Sequence, residues 1–420
     1  MATAKLILHK GKEKSIFRRH PWLFSGAVAR TEGRPEDGDV VDVVSADGQW
    51  LACGHYQSDS IVCKILSFEG CSIDDGFWRA RLSDAISYRK TLGLIGVDGR
   101  CGTDDTTMFR LVNGEGDLMP GLIADYYNGI VVLQAHSVGM HRLFPVFANL
   151  LNELLPDLKG VYDKSEATLP IKGCENGWIT SPSAGRTGDI NCQQPVSDHR
   201  SRVSGHTLDE WEATEWGNRY IINFAEGQKT GFFLDQRDNR RMVGQFAEGK
   251  RILNCFGYTG GFTLGALRGG AAQVDTVDIS KRAIELCNRH VEMNFPQASH
   301  RGIVADVTKY LDTIDDQYDI IILDPPAFAK NHRSLQNGLK GYRNINQRAI
   351  EKIKPGGLLF TFSCSQAVSQ ADFQTMAFTA AATAKRNVRI IKHLQHAPDH
   401  PVSIYHPEGE YLKGLLLEVE

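Results

Sequence analysis

Two side chains in this sequence stand where they could do chemistry. The first is a thiol. In "FTFSCSQAVS" (360–369), Cys364 lies between two serines, just after the glycine turn "KPGG" and the apolar run "LLFTF". A thiolate is both soft and ionisable near neutral pH, so a cysteine at the open end of a strand can bond covalently to a substrate. The ordinary alternative is a small apolar residue packed at a strand end. The second is the carboxylate of "YDIIILDPPAF", where Asp324 closes an apolar run and is followed by Pro325 and Pro326. Two prolines fix an extended backbone and remove donors. Such a rigid, acceptor-lined edge suits the polar groups of a planar heterocycle.

A ligand site is written upstream of both. "NCFGYTGGFT" (254–263) places Gly257, Gly260 and Gly261 after an apolar run, where the backbone can approach a ligand before a helix begins. The spacing is not the G-x-G-x-x-G of dinucleotide sites. Asp278 ends the next apolar run, 24 residues after Asn254, where a carboxylate can accept hydrogen bonds from both ribose hydroxyls. Asp306, in "VADV", ends the third and could receive an adenine amino group. Either acid alone is equally well an ordinary helix N-cap. Three glycines and two carboxylates at successive strand ends point instead to an adenosine-containing cofactor.

The elements that must position these groups alternate. "RILNCF", "QVDTVDI", "RGIVAD", "YDIIILD" and "GGLLFTFS" are apolar runs of strand length, separated by helix-compatible segments such as "SKRAIELCNRHVEMN". This pattern predicts an α/β fold whose parallel sheet is covered on both faces and binds ligands at its carboxyl edge. Residues 36–68 alternate short β-prone runs with turns, as in a small β-barrel. An amphipathic helix with an Asp start is expected over 74–94, an α+β region with one helix, "MHRLFPVFANLLNELL", over 104–172, and a polar linker over 181–207. The C-terminal segment with His393, His396, His400 and His406 reads as a hairpin edging the sheet, not a metal site, because its prolines break any shared helical face.

Composition excludes several classes. With 42% apolar and 23% charged residues and no run of 18 apolar residues, the chain reads as soluble and globular rather than disordered or membrane-spanning. The first residues lack a signal-peptide core, and the nine cysteines are scattered without a C-x-x-C pair. Both features suggest reduced thiols in the cytoplasm. Net charge is −3, yet residues 1–34 carry eight basic side chains against two acidic ones. That is either a phosphate-facing patch or a solvated end.

The ordered series "GKEKSIFRRHPWLFSGAVAR", "KTGFFLDQRDNR", "LNCFGYTGGF", "DPPAF", "GYRNIN", "TFSCS" and "HPEGEYLKG" resembles class I S-adenosylmethionine-dependent methyltransferases. More specifically, it is similar to the large-subunit (23S) ribosomal-RNA 5-methylcytosine methyltransferases with an N-terminal PUA domain. The resemblance implies a PUA β-barrel that binds RNA over 1–73, a central α+β domain and linker over 74–204, and a Rossmann-like methyltransferase domain over 205–420. It implies S-adenosylmethionine as cofactor and rRNA, free or in an assembling subunit, as partner, with no membrane and no metal, and it leaves a homodimer open. Carried over by position, Phe256, Gly257 and Gly260 form the cofactor loop, Asp278 holds the ribose and Asp306 the adenine, and Asp235 and Arg237 close the methionine end. Asp324, with Pro325, Pro326 and Phe328, forms the catalytic motif that meets the target base. Tyr342 and Arg343 would stack on or orient an extruded nucleotide, or else form an ordinary helix-start surface. Arg18 and Arg19 would meet phosphate, and Cys364 would be the nucleophile.

The implied chemistry accounts for the thiol. Cytosine C5 is a poor nucleophile until a thiolate adds to C6, whereas methylation of an amino group needs no such residue. Many RNA 5-methylcytosine enzymes carry a second cysteine in the fourth-strand motif. Here Pro326 and Ala327 occupy that neighbourhood, so the base that removes the C5 proton is unassigned. Methylation of a base nitrogen or of uridine C5, and a non-catalytic RNA-binding assembly factor, are the alternatives.

Overall fold

The apolar runs after residue 250 form one seven-stranded sheet in the computed structural model. Its strands are β1 (Arg251–Cys255), β2 (Gln273–Asp278), β3 (His300–Val304), β4 (Ile320–Leu323), β5 (Gly357–Ser363), β6 (Val388–Leu394) and β7 (Lys413–Val419). Their spatial order is β3-β2-β1-β4-β5-β7-β6. The first five run parallel, and β7 enters antiparallel between β5 and β6. β4, "IIIL", is buried at every position because helices cover both faces, which is why it shows no polar alternation. The helices are α1 (Arg237–Gln245), α2 (Gly261–Arg268), α3 (Lys281–Asn294), α4 (Val307–Leu311), α5 (Leu335–Lys352) and α6 (Gln370–Ala384). Strand order reverses between β1 and β4, so the crevice at their carboxyl ends is where this architecture binds ligands. The expected C-terminal hairpin is present as β6 and β7, but β7 lies inside the sheet and only β6 is at its edge.

The structure describes residues 4–169, 171, 174–182, 202, 203, 206, 207, 210–329 and 331–420. The linker expected over 181–207 lies almost wholly outside these residues. The chain divides into two compact units. The second comprises Trp216–Tyr220, Asp235–Ala397 and Glu410–Glu420, and contains the seven-stranded sheet. The first comprises Met1–Glu215, Ile221–Leu234 and Pro398–Gly409. It holds a six-stranded sheet made by residues 5–67, cored by Leu6, Leu8, Leu23, Val41, Val43 and Ile65, and a five-stranded sheet made by residues 108–180. The helix expected at 74–94 runs Asp75–Thr91, with the Asp74 carboxylate accepting the Phe77 N–H at 3.0 Å. The single helix expected at 140–155 is two, Val138–Arg142 and Phe144–Leu154. Pro145 causes the break, since it has no N–H to donate and is tolerated only in a helix's first turn.

In the second unit α1 lies directly on α2 through glycines. A Cβ on Gly265 would sit 2.6 Å from the Arg240 carbonyl oxygen, and one on Gly269 would sit 2.1 Å from that of Gly244. Neither obstacle is a flexible side-chain tip, so Gly269→Ala must push the helices apart. The expected cost is about 1–3 kcal/mol, read as a lower urea midpoint at unchanged slope; an unchanged midpoint would show that the contact is slack.

Candidate active site

β1 delivers the chain into the loop 256–260. Phe256 and Tyr258 hold left-handed φ values of 58° and 45°, a conformation that costs a residue with a Cβ and persists only when its surroundings impose it. Two contacts impose it here. Gly257 packs so tightly that a Cβ would lie 2.2 Å from Thr276 Cγ2, and Asp278 Oδ2 accepts the Tyr258 N–H at 3.0 Å. Asp278 Oδ1 accepts the Ser280 N–H at 2.8 Å, while Ser280 itself caps α3, so Asp278 is not the cap of that helix. Asp306 does cap α4, through the Lys309 N–H at 2.9 Å, and its side chain is exposed. Beside them Ile279 and Val304 leave 74% and 52% of their surface uncovered, and Val304 is the register partner of Asp278. A carboxylate next to bare apolar surface, at the carboxyl edge of a parallel sheet, fits a nucleoside: the acid takes hydroxyls and the apolar surface takes the base.

β4 and β5 are paired in register from Ile320–Leu358 to Leu323–Thr361, so the loops that leave the two strands emerge at one edge. Asp324 is half-buried, Pro325 buried and Pro326 exposed. Cys364, half-buried, places its Sγ 3.9 Å from the Pro325 carbonyl oxygen. The thiol therefore abuts the backbone of the Asp-Pro-Pro motif. Phe328 bridges the loops: its ring meets Phe256 edge-on at 6.5 Å and Tyr342 at 4.7 Å. The other two cysteines of this sheet and its helices are fully buried. Burial pushes the Cys255 thiol far above its usual range and that of Cys287 up to about 12.

Residues 176–416 match the family described as S-adenosylmethionine-dependent methyltransferase, and residues 6–68 match a PUA-like domain. Ribosomal RNA large subunit methyltransferase I of Escherichia coli strain SMS-3-5 is 37% identical over 424 aligned positions, covering 99% of this chain and all of that protein. The protein of the same name from Enterobacter sp. strain 638 is 38% identical over the same span. The crystal structure of the methyltransferase SMU.776 with SAH aligns over 99% of this chain and all of that one, with a TM-score of 0.80 at 23% identity, which supports the fold. The chain belongs to the large-subunit ribosomal RNA methyltransferase I family. It is accordingly an S-adenosylmethionine-dependent methyltransferase.

In this methyltransferase the segment "LDQRDNR" does more than its charged residues suggest. Gln236 Nε2 donates to Asp324 Oδ1 at 3.1 Å, and Gln236 Oε1 accepts from Asn239 Nδ2 at 2.6 Å. Both amides are buried. They orient the Asp324 carboxylate, and nothing in their spacing announces it. Asp235, also buried, accepts the Tyr411 hydroxyl at 2.7 Å and, through its carbonyl, the Ala397 N–H at 2.9 Å. Arg237 is buried with Nε 3.4 Å from Asp238 Oδ1.

Tyr342 corrects an expectation. It sits in the middle of α5, not at a helix start, and is 0% exposed, with its hydroxyl 2.9 Å from Ser365 Oγ. A ring walled in by Phe328 and Phe373 cannot stack on an extruded base. It instead braces the turn that carries Cys364. Arg343, next along α5, is half-exposed. Arg18 and Arg19 are exposed on the first unit, and the Arg19 guanidinium lies 5.3 Å from the Phe68 ring centroid. Among the described residues, the only three donor side chains close enough to share an ion are His141, Asp163 and Cys174, and none of the C-terminal histidines is among them. Also among the described residues, no helix is long and apolar enough to cross a membrane. Tyr342→Phe removes one partner of the buried Ser365 hydroxyl while keeping the ring. We expect a loss of about 1–3 kcal/mol in equilibrium denaturation, with S-adenosylhomocysteine still bound.

Proposed function

We propose that this methyltransferase modifies C5 of a cytosine in large-subunit (23S) ribosomal RNA through a covalent adduct at Cys364. The observation that carries the reading is the Sγ of Cys364 lying 3.9 Å from the Pro325 carbonyl, beside Asp324. The relatives' name, ribosomal RNA large subunit methyltransferase I, and the PUA-like domain support rRNA as the substrate. Residues 1–73 would then bind RNA, with Arg18 and Arg19 on phosphate, residues 74–204 would link the two functions, and residues 205–420 would carry out the reaction.

When bound, S-adenosylmethionine supplies an electrophilic methyl group on a sulfonium, which leaves as the neutral thioether. Asp278 would accept the ribose hydroxyls, Asp306 the adenine amino group, and the loop at Phe256, Gly257 and Gly260 would lie along the cofactor, with Asp235 and Arg237 toward its methionine end. The Cys364 thiolate adds to cytosine C6, and the electron pair displaced onto C5 takes the methyl group. The C5 proton then leaves to a base, and the ring expels the thiolate as its double bond re-forms. Asp324, oriented by Gln236, would hold the N3/N4 edge of the cytosine, with one proton shared between them. Pro325, Pro326 and Phe328 would wall the base, and Arg343 would orient the nucleotide. The Asp-Pro-Pro motif, with Phe328 two residues on, also suits an amine, but methylation of nitrogen would leave the thiol without a task.

Two outcomes are expected. Cys364→Ala should abolish transfer of label from tritiated S-adenosylmethionine to rRNA lacking the modification, and nucleoside mass spectrometry of wild-type product should show 5-methylcytidine; full activity of the variant would end the covalent reading, and 5-methyluridine would change the base. Asp278→Ala should lose most of the thermal stabilisation by S-adenosylhomocysteine, a stabilisation of about 2.7 kcal/mol in the wild type at a hundredfold excess over Kd. A variant stabilised as fully as the wild type would remove Asp278 from the ribose site.

A further inference from the structure

The motif "HPEGEYLKG" ends beside the thiol, on a strand the proposed reaction does not otherwise use. Lys413 begins β7 and is the register partner of Ser363. Its Nζ donates to the Ser365 carbonyl at 2.7 Å and to the Tyr411 carbonyl at 2.7 Å. The side chain is therefore anchored to the residues on either side of Cys364, one through strand pairing and one through its ammonium. It is 3% exposed. Both hydrogen-bond partners are neutral carbonyls, and a buried ammonium without a counter-charge is costly. An ammonium has three donors, so the two carbonyls leave one N–H for a neighbour.

We propose that Lys413 is a positioning residue that holds Cys364 as its thiolate. The proposal deepens the covalent reading and rests on it. Burial draws the Lys413 pKa down to about 8, and the Cys364 charge and Glu410 oppose that shift. Most of the lysine is thus still protonated at pH 7. The attraction between the ammonium and the thiolate is mutual, so it lowers the thiol's pKa just as it supports the lysine's. Three of the described ionisable groups at this edge do not replace it. Tyr342 on α5 is kept neutral, its pKa raised chiefly by burial. Asp324, after β4, opposes a thiolate by its charge, as does Glu410, which is exposed. Lys330, six residues past Asp324, lies outside the described residues.

The test needs neither RNA nor cofactor. Alkylation of Cys364 by iodoacetamide in the full-length protein is followed by peptide mass spectrometry from pH 5.5 to about 9.5, in wild type, K413Q, K413R and K330Q, each checked for a cooperative melt. A wild-type midpoint below about 8.5, the free-thiol value, is expected. K413Q should move it up by about one unit, slowing alkylation about tenfold at pH 7, while K413R retains most of the wild-type profile because the cation is kept. A wild-type midpoint at or above that of a free thiol overturns the proposal even if K413Q does not fold. An unchanged K413Q profile, or a shift seen only in K330Q, overturns it as well. Failure of the covalent reading is seen separately, as activity surviving Cys364→Ala.

Discussion

The pairing of β4 with β5 is the constraint on which the site depends. Both strands are buried along most of their length and run parallel, with Leu323 opposite Thr361. Apart from Thr361 their interiors are apolar, and the ionisable groups of the site begin where the strands end, at Asp324 and just past Ser363. Because the register is set by apolar side chains packed on both faces, a slip of one residue would turn every buried side chain to the opposite face. The core therefore holds the 3.9 Å approach of Cys364 to the Pro325 carbonyl, and the proline pair prevents the loop from relaxing it.

Five buried polar side chains near that approach have hydrogen-bond partners. Tyr342 and Ser365 brace the thiol's turn, Gln236 and Asn239 set the carboxylate, and Lys413 is hydrogen-bonded to two carbonyls. Buried polar groups cost free energy unless paired and, when paired, define one geometry. A purely apolar surround would pack as well but would leave Asp324 free to rotate. The same economy shows at the other loop, where the Asp278 carboxylate accepts the Tyr258 and Ser280 N–H groups and so holds a left-handed backbone that would otherwise relax.

Most of the architecture and part of the site were legible in the sequence, for reasons that differ by residue. Strand-length apolar runs gave the parallel sheet because burial on both faces removes alternation. Asp278, Asp324 and Cys364 could be singled out because each terminates such a run, so position along the chain translated directly into position at the sheet's edge. Pro145 is equally readable as a helix start, although the apolar segment around it reads as one helix. The supporting residues were not legible. Gln236 reaches Asp324 across 88 residues of chain, and Lys413 reaches Ser365 across 48; neither has a local pattern, since a buried amide or lysine acquires its meaning only from what folding brings to it. Tyr342 is the same case: nothing in "GYRNIN" tells that the face of α5 carrying Tyr342 turns inward.

Three cysteines in the second unit differ in position and burial. Cys255 lies inside β1 and Cys287 on the inner face of α3, where a Cβ on Gly260 would come within 2.5 Å of its sulfur. Burial without a cation raises both thiols far from neutral pH, so each behaves as a small hydrophobe. Cys364 is one residue past its strand, half-exposed, with an ammonium tied to the next residue's carbonyl. On the proposed mechanism the thiol must leave as readily as it adds, and a thiolate stabilised in its free form is a better leaving group at the last step, although a somewhat weaker nucleophile at the first. On that mechanism, with Pro326 and Ala327 where many RNA 5-methylcytosine enzymes carry a second cysteine, stabilising the departing thiolate would assist release, while the C5 proton would still need a base. A lysine on a neighbouring strand is one way a sheet with a single thiol at its edge can supply that stabilisation.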